Sequence, residues 1–422
     1  MLRSILAVSL LCVVLVSSAP AAIVVNQGGG DDYLTIQEGV TAAAEGETVL
    51  VMQGTYTGAG NRNLDFGTKN IVLRSDAGAE LTTIDLENVL GNRAFQFISS
   101  GQDTSCVIDG FTVTNCLTDE THGGSGAAVY MTFASPKFIN MIFSNCDSTD
   151  RPGGGIYMLS VSSPVLRHVR FENCHAAGNW GGGAIRCESA YAPSFYDVIF
   201  ENNSVDSGGF GGAINMTSTT AASFRRVTFT GNTATNGAGA LNLYNSGATL
   251  TLVTFARNHS GVGGALFCYN SSPYIIASTF FANSADGNGG ALYCQNSTPV
   301  IRQCVFSHTG WSALGGSMGP PASDRGLAVY CDATSYIDLL QVCSYGNEGG
   351  DGLCGSEPGG GHVISEHPRY CDMLTDDLTL AGDSPCLPAG NPWSATLGAW
   401  GEGCSNPAVE ATSWGRIKAL HR

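Results

Sequence analysis

The sequence predicts an all-β solenoid, a parallel β-helix covered by a short helix at its N-terminal end and closed by a Cys-rich segment at its C-terminal end. Three observations lead there. Two short motifs alternate every 25 to 30 residues, apolar residues within each unit alternate with period two, and Gly, Asn, Ser and Pro punctuate the units. Composition agrees: 56 of 422 residues are Gly, 43% are hydrophobic and only 13% are charged, which excludes both a disordered chain and a charge-laced helical one. The formal charge is −16, from 19 Lys and Arg against 35 Asp and Glu, so a nucleic-acid partner is not expected.

Residues 1–21 read as a secretory leader. Arg3 supplies its positive start, Ile5 to Val16 form an apolar run too short to span a membrane permanently, and Ala19-Pro20-Ala21 offers a small-residue cleavage site. A secreted or cell-surface location follows as the expectation, with no transmembrane segment once the leader is cut. Of 15 Cys, all but Cys12 remain, an even number that permits disulfides without revealing their connectivity.

Residues 22–104 read as a cap and the first irregular rungs. Ile23-Val24-Val25 is a strand, and Thr35 can cap a helix running through Ala44, with Ile36, Val40, Ala43 and Ala44 on one face. A strand over Thr48 to Met52 follows, then rungs around Ile71 to Arg74, Thr83 to Leu86, Phe95 to Ile98 and Val107 to Phe111. An open solenoid end needs such a cover.

Residues 105–335 hold the regular repeats. A Gly-Gly-Ala-aliphatic motif ends at Ile156, Ile185, Ile214, Leu266 and Leu292, with looser copies ending at Val129, Leu241 and Val329. A Phe-x-x-Asn or Phe-x-x-Cys motif starts at Phe143, Phe171, Phe200, Phe229, Phe255, Phe280 and Phe306, separated by 28, 29, 29, 26, 25 and 26 residues. One unit has too few apolar residues to bury a face alone, so units stack, each strand about 4.8 Å from its counterpart. Inward columns then form: Ile156 to Leu292; Met158, Cys187, Met216, Leu243, Cys268 and Cys294; and the Phe series. Asn203, Asn232, Asn258 and Asn283 fall at a corner, where Asn tolerates left-handed backbone and its amide can bond the amide one rung away, a structural ladder. A second ladder includes Asn245, Asn270 and Asn296. Gly-Gly serves positive φ and close approach at another corner; no Lys closes the motif and no helix follows, so it is not a phosphate loop.

Residues 336–404 are rich in Cys, Gly and Pro, and Cys343, Cys354, Cys371, Cys386 and Cys404 are expected to be bridged, in an open pairing. Cys268, Cys294 and Cys331 face inward, either as small hydrophobes or paired across adjacent rungs. Residues 405–422 form a basic tail, including Trp414 to Leu420, that is a sorting or attachment tag or a frayed or docked terminus.

The paired motifs closely resemble the polymorphic outer-membrane-protein repeat of chlamydiae, named for its G-G-A-I and F-x-x-N elements, within the pectin-lyase-like superfamily of right-handed β-helices. The resemblance covers roughly residues 105 to 335 and implies right-handed coiling. In that family the repeats build a surface-exposed passenger, often adhesive, ahead of a transporter β-barrel. Fewer than 100 residues follow the last repeat here, so autotransport does not carry over. The two ends resemble the N-terminal cap and closing segment of secreted β-helices.

Outward residues beside the Gly-Gly-Ala strand stack into columns too. One runs Tyr130, Tyr157, Arg186, Asn215, Asn242, Phe267, Tyr293, Tyr330; the next runs Thr132, Leu159, Glu188, Thr217, Tyr244, Tyr269, Gln295, Asp332. Aromatic faces stack on the apolar faces of sugars and amides bond hydroxyls, so a glycan or a cell-surface partner along this wall is the leading expectation, with the chain as a monomeric binding or adhesion module. Tyr and Phe also simply favour exposed strands. The resemblance offers an alternative, a polysaccharide lyase or hydrolase of the pectin-lyase-like type. Arg167 and Arg225 could then stabilise enolate-like charge, and His168 or Asp197 could take the α-proton. A purely structural envelope or matrix protein is the third reading. Arg416-Ile417-Lys418 copies a tripeptide of polygalacturonases, yet the paired Asp and Gly-His-Gly elements that should precede it are absent. No CxxC pair and no Gly-Gly-x-Gly-x-Asp array occurs, so no metal site is expected, and calcium binding rests on bulk acidity alone.

Overall fold

The computed structural model describes residues 22–121, 124–178, 181–206, 208–311, 328–347, 353–354 and 362–404. The expected leader and the basic tail lie outside them. Three parallel sheets coil around one apolar core. A motif face of ten strands runs from Leu64–Asp65 to Val329–Cys331 and contains every Gly-Gly-Ala strand. A back face of twelve strands runs from Ile23–Val25 to Asp338–Leu340. A Phe face runs from Gly54–Tyr56 to Val342–Tyr345, with Val363–Ile364 paired beyond it.

Register is kept residue for residue between turns. Ile156, Ile185, Ile214, Leu241, Leu266 and Leu292 are mutual partners, as are Met158, Cys187, Met216, Leu243, Cys268 and Cys294, and all are fully buried. From Phe143 to Phe306 the rings stack with centroids 4.5 to 5.0 Å apart. Burying each such ring contributes roughly 1.5–3 kcal/mol. The Gly-Gly motif is explained by space: the first Gly has φ between +61° and +78° at Gly153, Gly182, Gly211, Gly263 and Gly289. A Cβ on the second, at Gly154, Gly183, Gly212 or Gly264, would lie 2.1 to 2.3 Å from a backbone oxygen of a neighbouring strand.

The corner ladder forms as the Asn spacing predicts. Asn203 donates from Nδ2 to Asn232 Oδ1 at 2.9 Å, Asn232 to Asn258 and Asn258 to Asn283 likewise, and the same Oδ1 atoms accept the preceding Asn's backbone N–H at 3.0 Å. Each Nδ2 also donates to a Phe carbonyl one turn back, so every member is satisfied and fully buried. Left-handed backbone falls one residue earlier than expected, on Asn202, Arg257 and Ala282. The second ladder does use it: Asn245, Asn270 and Asn296 have φ of 49°, 48° and 48°, and their amides bond in series on the exposed surface.

The N-terminal helix, α1 (Ile36–Ala42), starts with a capping box between Thr35 and Glu38. It ends at Ala42 because Ala43 is already extended; Ile36, Val40 and Ala43 are buried, whereas Ala44 is exposed and does not share their face. Gly39 lets the helix lie on the first rung, since a Cβ there would meet Val25 at 2.5 Å.

The C-terminal segment differs from the expected closure in two ways. Bridges join Cys331 to Cys354 and Cys371 to Cys404, while Cys343 donates to the Glu366 carbonyl and Cys386 is a buried thiol. Cys354 thus pairs with a member of the inward column, the β-bridge between Val329 and Leu353 bringing it alongside. The segment also folds back over the outside of the Phe face, where Tyr370, Leu380 and Leu397 cover Ala256, Phe281 and Val305 in a second apolar cluster. Tyr370 Oη meets Ser307 Oγ at 2.8 Å, and Trp400 Nε1 donates to Thr254 Oγ1 at 2.9 Å.

Rung stacking also builds an ionic clasp on the Phe-face side. His175 Nδ1 lies 2.9 Å from Asp147 Oδ1, and its Nε2 lies 3.1 Å from Asp206 Oδ2, so one imidazole bridges three turns. The hydrogen bond to Asp147 raises the His175 pKa, burial opposing it.

Two outcomes follow. Asn232→Ala removes the acceptor for Asn203 and should lower stability by about 1–3 kcal/mol, whereas Asn270→Ala on the exposed ladder should cost under about 1 kcal/mol, both read from denaturant midpoints. Equal effects would contradict the buried ladder's role. Because the folded pKa of His175 is raised, its stabilisation is full below about pH 6.5 and is lost as pH rises through the raised value. Thermal melts across that window should show the loss in the parent chain and not in His175→Gln.

Candidate ligand-binding face

Both outward columns of the motif face are in register as the alternation requires. Alternation does not report what a loop lays over an outward residue, and here the two columns part. The first is largely covered: Arg186 is 2% exposed, Asn215 and Asn242 3%, Phe267 8% and Tyr157 9%. Phe210, in the segment entering one Gly-Gly corner, packs its ring 6.1 Å from that of Phe267. The expected wall is therefore closed from Tyr157 to Phe267 in its first column, with Tyr130, Tyr293 and Tyr330 half-buried at the column's two ends.

What lies beneath the cover is a polar string. Arg186 faces Glu188 across 3.6 Å, Tyr157 Oη donates to Glu188 Oε2 at 2.9 Å, and Asn242 Nδ2 donates to Asn215 Oδ1 at 2.7 Å. Burial pushes the Arg186 pKa down, with Glu188 opposing it, and raises that of Tyr157.

The second column stays open. Glu188, Thr217, Tyr269 and Gln295 are half-buried and Tyr244 is 40% exposed, while Thr132 is buried. Tyr244 and Tyr269 stack face to face at 4.6 Å and 4°. Tyr293 stacks between Phe267 at 5.1 Å and Tyr330 at 4.9 Å. Rings stacked on one another turn their faces inward to the stack, so this line presents ring edges and phenol hydroxyls more than sugar-stacking platforms. The exposed ladder Asn245, Asn270 and Asn296 runs directly beside it, each Asn following a member of the open column in sequence. At the N-terminal foot of the same face lies a shallow hollow of about 290 Å³, lined by Asp65, Thr68, Gln96, Ile98 and Ser99 among others. No sequence signal marked that hollow.

The second candidate group gathers on the back face. Arg167, Tyr196 and Arg225 occupy one outward column, with the Arg167 guanidinium 5.5 Å from the Tyr196 ring centre. Beside it, Asp197 accepts from Arg226 Nε at 2.5 Å and from its second guanidinium nitrogen at 2.8 Å, and His168 Nε2 stands 3.6 Å from Asp197 Oδ2. The bidentate Arg226 holds the Asp197 carboxyl below the usual carboxylate range, which weakens it as a base. Arg226 follows the candidate Arg225 in sequence, and its clamp on Asp197 comes from the one-rung offset. Among the described residues no group of three His, Cys, Asp or Glu side chains is arranged to hold a metal ion, and no helix is long and apolar enough to cross a membrane.

Comparison with known proteins agrees with this geometry. The family of the right-handed β-helix region matches residues 69–255, and the Chlamydia polymorphic membrane protein repeat matches residues 277–295. No curated protein matches the sequence. Among solved structures, a rhamnogalacturonan lyase aligns over 94% of this chain and 98% of its own at 9% identity and a TM-score of 0.39. The A-module of the Azotobacter vinelandii mannuronan C-5 epimerase AlgE6 aligns over 72% of this chain and 95% of its own at 13% identity and a TM-score of 0.30. Neither likeness bears on activity. The sheets and the register make the chain a parallel β-helix, similar over residues 69–255 to the right-handed β-helix region and over residues 277–295 to the Chlamydia polymorphic membrane protein repeat.

Proposed function

We propose that this chain is a secreted or surface-displayed binding module that holds an extended, uncharged glycan along the open column Glu188, Thr217, Tyr244, Tyr269 and Gln295. The observation that carries the reading is the pair of parallel ladders, phenols and amides, repeating at one-rung intervals on one exposed edge. Hydroxyls and amides at a regular spacing of about 4.8 Å give a polymer of hydroxyl-bearing units repeated donors and acceptors. The sign of charge narrows the ligand. Among described residues 187–300, the Arg side chains are Arg225, Arg226 and Arg257, which sit on or beside the other two faces, and no Lys occurs. Glu188 is the charge on the line itself. The nearest cation, Arg186, is buried and turned to Glu188, so a uronate polymer would meet no exposed cation there, whereas a neutral one loses nothing.

A second reading rests on the back-face group. Arg167 and Arg225 supply cations and His168 supplies a base beside the clamped Asp197, the parts a lyase acting on uronates needs. It predicts unsaturated products.

One panel separates the two. Retention should be seen on neutral polysaccharides such as β-glucan, xylan or galactan, and should fall at least tenfold when Tyr244 and Tyr269 are replaced by Ala with circular dichroism unchanged. Unaltered retention in that variant would remove the site. Release of unsaturated chain ends from polygalacturonate or alginate, lost in His168→Ala, would replace the binding reading with the lyase reading.

A further inference from the structure

The corner column that carries the buried Asn ladder begins with three cysteines. Cys116 and Cys146 are register partners, and Cys174 takes the same position on the next turn, where its backbone N–H donates to Asn203 Oδ1 at 3.0 Å. Cys146 Sγ lies 3.0 Å from Cys116 Sγ, and Cys174 Sγ, one turn on, donates to the Phe143 carbonyl at 3.6 Å. All three are fully buried. From Asn203 onward the amide oxygen takes the corner N–H of the preceding turn, beginning with that of Cys174; at Cys116 and Cys146 the next turn offers sulfur, a weaker acceptor. The later turns show that this corner needs an amide more than a thiol. What the amide cannot provide is a covalent link.

We propose that Cys116, Cys146 and Cys174 form a three-thiol relay in which one disulfide ties adjacent turns and Cys146 is the shared partner, bonded to Cys116 or to Cys174. Closure transfers two electrons and two protons from two thiols to a disulfide donor such as oxidised glutathione, which leaves as two thiols. Moving the bridge needs no oxidant. The Cys174 thiolate attacks Cys146 Sγ, a Cys174–Cys146 bond forms as the Cys146–Cys116 bond breaks, and Cys116 leaves as thiolate to take up the proton that Cys174 released. Sulfurs on successive turns of one column put attacker, centre and leaving group close to one line. One-rung spacing of about 4.8 Å falls inside the Cα separation of about 4.4–6.8 Å that a disulfide spans, and two rungs fall outside it. Burial pushes the Cys146 and Cys174 thiols well above the ordinary range, so closure and exchange both take place while the turns are closing and a thiolate can still form, and the bridge is fixed once the column is buried.

The test refolds the full chain in a glutathione redox buffer, quenches with acid, alkylates in denaturant and maps tryptic peptides without reduction. Cleavage after Lys137 and after Arg170 puts the three cysteines in different peptides, Cys106 sharing that of Cys116, from which fragmentation of the linked peptide distinguishes it. In more than half of the chains Cys146 should be linked to Cys116 or Cys174, the third thiol being alkylated. In Cys116→Ala the link should appear between Cys146 and Cys174; in Cys146→Ala both remaining thiols should be alkylated. Three alkylated thiols in the parent chain would overturn the proposal, as would a Cys116–Cys174 link in Cys146→Ala. If a variant does not fold, the parent map alone decides.

Discussion

Stacking at one-rung spacing is the constraint on which this structure depends, and the buried corner amides hold it. A corner breaks the ladder hydrogen bonds of the strands on either side, so its N–H would be buried without a partner. The side-chain oxygen of the Asn one turn on accepts that N–H and the Asn amide hydrogen together. A slip by one residue would orphan every such group at once and turn each Phe outward. Parallel Phe rings, paired aliphatic columns and the Gly-Gly close approach all follow once the turns are locked in register.

The same lock writes the surface. Whatever side chain stands outward on one turn stands directly above its counterpart on the next, so single residues become lines: phenols over phenols, amides over amides, and Asp147, His175 and Asp206 into an ionic clasp. Such lines suit a repetitive, extended ligand more than a compact substrate. They also limit what each residue can offer, because Tyr244 and Tyr269 spend their ring faces on one another. Covering segments select between neighbouring lines, closing the one that contains Arg186 and Asn242 and leaving open the one that contains Tyr244.

Much of this was legible in the sequence because repetition makes register readable: the spacing of Phe143 through Phe306 places both the inward columns and the corner Asn residues. Local backbone detail was less so. Asn203 shares its side-chain chemistry with Asn245, yet only the latter is left-handed, since the buried ladder shifts the turn to Asn202. The candidate face was half legible. Its columns follow from alternation, but the burial of Arg186 and Phe267 depends on loops of no fixed period, as Phe210 illustrates. The fold-back of Tyr370 and Trp400 onto Phe281 and Thr254 joins residues far apart in the chain, for which no repeat gives a signal.

The most direct test of the account is amide hydrogen exchange at the corner, read residue by residue for the backbone N–H groups of Asn203, Asn232 and Asn258. The account predicts exchange as slow as that of the central Phe strands, because these amides are buried and bonded only through the ladder. Exchange as fast as in an unstructured peptide, with the Phe strands still protected, would contradict it.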